Sequence, residues 1–106
     1  MKDSPVKNKS YQFAVRVVNL YKHLANNHRE FILSGQVLRS GTSIGANVRE
    51  AVQAESRADF IHKMAISLKE ASETAYWLEL LRDTKYLDEK SFNSSQRLRP
   101  VHVVCR

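Results

Sequence analysis

A chain of 106 residues, 42% apolar and 26% charged, has the length of one domain and the composition of a globular one; three glycines and two prolines are too few for an all-β sandwich. Met1–Pro5 leads into no apolar leader, no run approaches the roughly 20 apolar residues of a membrane span, and the lone Cys105 cannot close an internal disulfide. The expectation is a cytoplasmic protein, one domain over residues 1–106. Of the net charge of +6, residues 1–9 hold two units and the segment after Lys90 three, so the basicity belongs to the ends.

From Ser10, the residues Phe13, Val17, Leu20 and Leu24 recur at the spacing of an amphipathic helix that Asn26-Asn27 ends, leaving residues 1–9 as a basic tail. A second helix is expected from about Glu30 to Glu55. Ser56-Arg57-Ala58-Asp59 has the form of a capping box and opens a third helix that continues to Arg82 or Asp83. Asp88 reads as the N-cap of a fourth helix containing Phe92.

Placed at 100° per residue, helix two has an unusually wide apolar arc, within which Ser40 and Asn47 need partners if buried. Gly41 and Gly45 each cost a helix interior about 1 kcal/mol relative to alanine and point to close approach of another backbone. Helix three carries Phe60, Met64, Leu68, Ala71, Ala75 and Leu78 on its main face, with Ile66, Trp77 and Leu80 roughly opposite. Such an apolar group outside the protomer core predicts an interface with another subunit. Folding helices two and three back at Ser56 brings level positions whose numbers sum to about 112. Arg39 then lies near Glu73, Ser40 near Ser72 and Gly41 near Ala71, so small residues face small ones, and Ser40 and Asn47 fix the register by hydrogen bonds.

The run Leu38-Arg39-Ser40-Gly41-Thr42-Ser43-Ile44-Gly45-Ala46-Asn47-Val48-Arg49-Glu50-Ala51, with Ser56–Ile61 and Glu70–Leu78 after it, resembles the signature of small four-helix-bundle proteins encoded in intervening sequences of bacterial large-subunit ribosomal RNA genes. The resemblance spans about Ser10 to Leu87 and extends to the accessory variability determinant of diversity-generating retroelements. It implies an all-α, antiparallel up-down four-helix bundle assembled as a homo-oligomeric ring, often a pentamer. For the retroelement relative it implies nucleic-acid binding through basic surface. One departure stands out: Ser94–Pro100 dilutes the apolar period, Pro100 disfavours helix at Arg99, and Val101–Cys105 alternates like a strand without a partner. The fourth helix is therefore expected to be shortened or disrupted, with 97–106 an atypical tail that reads as truncated or frameshifted.

No phosphate-cradling glycine loop, CxxC, HExxH or supported Ser-His-Asp order is present, so an enzyme, a cofactor or a small-molecule substrate is not expected. Asp59-x-x-His62 resembles half of a di-iron motif, but such sites need two of these and further carboxylates, and Asp59 already serves the cap. No metal is expected. His23, His28 and His102 read as surface side chains, and Glu79 as a pairing partner across the bundle. Between the tails, Arg39, Arg49, Lys63 and Lys69 are scattered, yet a symmetric ring would repeat them into a basic belt able to hold RNA or DNA backbone. The expected function is a non-enzymatic oligomeric bundle that binds nucleic-acid backbone as an accessory factor. The alternative is a structural or protein-interaction scaffold with no nucleic-acid role.

Overall fold

In the computed structural model, residues 4–88 are described together with Lys90 and Phe92. They form three helices, α1 (Pro5–His28), α2 (Ile32–Val52) and α3 (Arg57–Asp83), and no strand. The chain is all-α, as the periodicity predicts. Lys90 and Phe92 are again helical, and the Phe92 amide donates to the Asp88 carbonyl at 3.0 Å. The rest of the expected fourth helix and the 97–106 tail, with His102 and Cys105, lie outside the described residues.

Helix boundaries follow from caps. α1 starts at Pro5, not Ser10, so five residues of the expected basic tail are helical: proline suits the first helical position, and the Ser4 hydroxyl accepts from the Lys7 amide at 3.3 Å. It ends one residue beyond Asn27, where Arg29 turns left-handed with φ of 52° and the Glu30 amide returns to the Leu24 carbonyl. Glu30, expected inside helix two, precedes it instead. Its carboxylate accepts from the amides of Ile32, Leu33 and Ser34 at 3.1, 2.9 and 2.8 Å, closing the first turn of a helix whose own N-cap, Phe31, has no capping side chain. The Ser56 hydroxyl accepts from the Asp59 amide at 3.0 Å and opens α3, as the capping box predicts.

α2 is the central element, with α1 packed on one side and α3 on the other. The core joins Phe13, Val17 and Leu24 of α1 to Val37 and Ile44 of α2 and to Ala71, Leu78 and Leu81 of α3, and Leu87 and Phe92 close one end. Gly41 and Gly45 face α1, whereas the register argument sets Gly41 near Ala71 of α3. A Cβ on Gly41 would come within 2.8 Å of a Val17 methyl, and one on Gly45 within 3.3 Å of the Ser10 carbonyl oxygen. One residue is a 100° turn, so Ser40 faces α3 while its neighbour Gly41 faces α1.

The buried stripe of α3 is Ser67, Ala71, Thr74, Leu78 and Leu81, rotated from the apolar face expected of it. Phe60 is 43% exposed, and Met64, Leu68 and Ala75 are only half-buried. The rotation has a polar cause. The Ser67 hydroxyl donates to the Ile44 carbonyl across the seam at 3.0 Å, and the hydroxyls of Thr74 and Ser40 meet at 2.8 Å, so two polar residues occupy the stripe that apolar counting reserves for Phe60 and Met64.

Candidate nucleic-acid interface

The four cations expected to form a belt meet different fates. Arg39 donates to Glu70 at 3.5 Å and to Glu73, both on α3, making the interhelical pair that the hairpin register predicts. Lys63 sits 2.7 Å from Glu50, whose carboxylate holds the ammonium pKa above its ordinary value. Arg49 lies over the Tyr11 ring, 5.3 Å from its centroid, and Lys69 is exposed. Two of the four are thus neutralised locally, and one protomer presents no continuous stripe.

Cations converge elsewhere. Lys7, Tyr11 and Ala14 share one face of α1 at i, i+4 and i+7, and Thr42, Ala46 and Arg49 do the same on α2. Where α1 meets α2 at Ser10 and Gly45, these two rows wall a groove of about 250 Å³. Ala14, Gly45 and Ala46 give it a bed of small residues; Lys7, Tyr11 and Arg49 are its large side chains; no carboxylate lines it. Tyr11 is 56% exposed despite the guanidinium over its ring. The two lining hydroxyls are spent on their own helices, Ser10 donating to the Lys7 carbonyl at 3.0 Å and Thr42 to the Leu38 carbonyl at 2.7 Å, so the groove offers positive charge and aromatic surface instead of hydroxyl protons. A second groove of about 420 Å³ by the α2–α3 turn has the opposite character, lined by Glu50, Glu55 and Asp59 against Lys63.

Lys7 and Tyr11 escape a reading that starts α1 at Ser10 and leaves Lys7 in a tail. The signal was Ser4-Pro5, a cap followed by a first-position proline; extending the helix to it puts Lys7, Tyr11 and Ala14 in one row. Across the α1–α2 seam an aromatic and a basic side chain meet, Arg49 of α2 lying over the Tyr11 ring of α1.

Ser40 and Asn47, the packing residues, bond within α2 to the carbonyls of Gln36 and Ser43, each at 2.9 Å, and Ser40 also meets Thr74. Ile66, Trp77 and Leu80, the expected interface, are half-buried; Trp77 packs against the core and donates from its indole to Glu73 at 3.1 Å. The large apolar side chains that do face outward on α3 are Phe60, Ile61 and Tyr76, the last two 54% and 57% exposed. Glu79 is exposed and does not reach across the bundle. His23 contacts Asn27, and His28 packs edge-on to Tyr86. Among the described residues no cluster of three His, Cys, Asp or Glu could hold a metal, and no helix is long and apolar enough to cross a membrane.

A family model described as 23S rRNA-intervening sequence protein matches residues 2–99. A crystal structure of a protein of unknown function from the S23 ribosomal protein family of Bacteroides thetaiotaomicron is 60% identical; the match covers 92% of this chain and 90% of that one, with a TM-score of 0.89. No curated protein matches.

Proposed function

The chain belongs to the 23S rRNA-intervening sequence protein family, and from that premise we propose that it is a non-enzymatic, cytoplasmic accessory protein that holds nucleic-acid backbone on the surface of a self-associating helical bundle. The observation that carries the reading is the convergence of Lys7 and Arg49 on a groove that no carboxylate lines. Phosphate is the ligand class that two such cations favour, and contacts of this kind position a strand without reading its sequence. The reading keeps the shortened or disrupted fourth helix that the sequence leads one to expect after Asp88, supported by Phe92, whose amide donates to the Asp88 carbonyl and whose ring joins the core. Assembly, as a pentamer by the family resemblance, uses the outward stripe Ile61, Ala65, Leu68, Ser72 and Tyr76 of α3, where small residues between large ones suit the approach of another helix. The resemblance to the retroelement accessory determinant supports the same reading.

Affinity for mixed-sequence RNA or DNA is expected to fall steeply with salt and to depend little on sequence. Lys7→Gln with Arg49→Gln abolishes most of it, whereas Lys63→Gln, which removes a cation already paired to Glu50, changes little. The second reading, a scaffold without nucleic acid, is favoured by the pairing of Arg39 and Lys63 with carboxylates. It prevails if the wild-type assembly fails to retain RNA or DNA at low salt.

A further inference from the structure

Two features of the Lys7–Arg49 groove exceed what backbone binding alone calls for. One is Tyr11, an aromatic side chain left more than half exposed between two cations. The ring contributes one cation–π contact to the fold, with Arg49 across the seam, while the close α1–α2 approach is made by Ser10, Val17, Gly41 and Gly45. The other is the bed of small residues. Ala14, Gly45 and Ala46 line the groove with Tyr11 and put no large side chain there, and the two lining hydroxyls are spent on backbone carbonyls. A duplex keeps its base faces stacked inside, so it would use the cations while leaving ring and bed idle.

We propose that this groove is a binding site for single-stranded nucleic acid, in which an unpaired base lies on Tyr11 and the alanine-glycine bed while Lys7 and Arg49 hold the flanking phosphates. The proposal rests on the phosphate-binding reading above and adds the kind of strand that the site accepts. The volume, about 250 Å³, is just below the roughly 300 to 1,000 Å³ of clefts for drug-sized ligands, which matches a nucleotide unit of a longer strand. Every base has a π-face, so stacking on tyrosine is tolerant of sequence; the Arg49 guanidinium lies over one face of the ring, and the base takes the other. The main rivals fit the groove less fully. An acidic peptide would satisfy Lys7 and Arg49 but fills the bed only where it also carries an aromatic side chain, and the basic ends of a second copy would be repelled.

The test uses the full chain in its native assembly and fluorescent strands of about 12 nucleotides: oligo-uridine, oligo-thymidine and an RNA duplex, with one strand carrying 2-aminopurine. Single strands of both sugars are expected to bind at least about 10-fold tighter than the duplex and to quench 2-aminopurine. Tyr11→Ala is expected to weaken single-strand binding by about 10-fold, the scale of one lost base stack, with the duplex unaffected and Tyr11→Phe close to wild type. Ala46→Glu, an exposed helix position, places a carboxylate on the bed and is expected to abolish binding with helicity intact, which keeps the test decisive even if Tyr11→Ala unfolds. Equal affinity for single strand and duplex, with no response to Tyr11→Ala, overturns this proposal while leaving phosphate binding standing. Absence of any binding removes both. A change in the native mass with Ala46→Glu overturns the proposal in favour of a second copy occupying the groove.

Discussion

α2 meets its two neighbours by opposite devices. Toward α1 it removes side chains: Gly41 and Gly45 let the helices approach until a Val17 methyl lies 2.8 Å, and the Ser10 carbonyl oxygen 3.3 Å, from where a Cβ would be. Toward α3 it buries hydroxyls: Ser40 meets Thr74, and Ser67 donates to the Ile44 carbonyl. The first seam gains dispersion contact at the cost of helix propensity. The second is a polar join with little propensity cost, because each hydroxyl also has a carbonyl within its own helix or across the seam: Ser40 with Gln36, Thr74 with Glu70 at 2.7 Å. A steric seam tolerates no added volume, and a polar seam tolerates no lost partner.

That contrast is broken most severely at Gly41. Gly41→Val is expected to cost about 3 kcal/mol by overpacking, read as a fall in the denaturant midpoint with an unchanged slope. Combining Gly41→Ala with Val17→Ala should cost less than the two changes added, since the second vacates the space the first needs. Gly35, in the same helix with nothing within 4 Å of its Cβ position, is the control: Gly35→Ala is expected to stabilise by about 0.5 to 1 kcal/mol. On the other seam Thr74→Val is expected to cost about 2 kcal/mol, by leaving the Ser40 hydroxyl short of a partner. Thr74→Val with Ser40→Ala should then cost less than the sum of the two. Additivity on both seams would show that neither device operates.

The sequence discloses the local chemistry of both seams better than their direction. Ser56 with Asp59 is a cap that propensity alone identifies, and the hairpin register it implies places Arg39 against Glu73. Gly41 and Gly45 announce a close approach, but a glycine has no side chain to say which neighbour it meets, and α2 has two. α3 is the harder case: apolar residues lie on all its faces, so a count of hydrophobic side chains cannot select the face that Ser67 and Thr74 fix by hydrogen bonding. The groove was illegible for a related reason, since Tyr11 and Arg49 lie 38 positions apart and only the α1–α2 packing joins them. Lys7 was within reach once Ser4-Pro5 was read as a helix start.

Outside the seams, the entry to α2 hangs on one carboxylate, and its titration gives an intermediate effect. Burial opposes ionisation of Glu30, but the amides of Leu33, Ser34 and Ile32 together with the Ser34 side chain outweigh it and hold the pKa below the ordinary 4.5. A pKa depressed in the folded state contributes stability that is complete above the unfolded value and fades as pH falls through the folded one. Glu30→Gln is therefore expected to cost about 1 kcal/mol at pH 7, the scale of a lost helix cap. The difference between variant and wild type should narrow as the pH is lowered below 4.5, in denaturant titrations across that range. A constant difference would mean that the charge is irrelevant there, and no difference at all that the amide caps α2 as well as the carboxylate does.

The smallest effect is expected at the ion pair that the register predicts most directly. Arg39 reaches Glu70 and Glu73 across the α2–α3 seam, but half of its side-chain surface is in water, where such pairs contribute about 1 kcal/mol or less. Arg39→Met should therefore lower stability by less than that, and added salt should reduce the wild-type advantage. The structure supplies a local reporter. Glu73 also accepts from the indole of Trp77, which is the single tryptophan of the chain, and that indole packs on the core. Once Arg39 is gone the carboxylate is held by the indole alone, so Trp77 emission should shift in Arg39→Met while helicity stays constant. Glu73→Gln should shift it further, because the indole then loses its charged acceptor. If Arg39→Met instead costs as much as Thr74→Val, the seam is held by its rim charges, and the buried hydroxyls only follow.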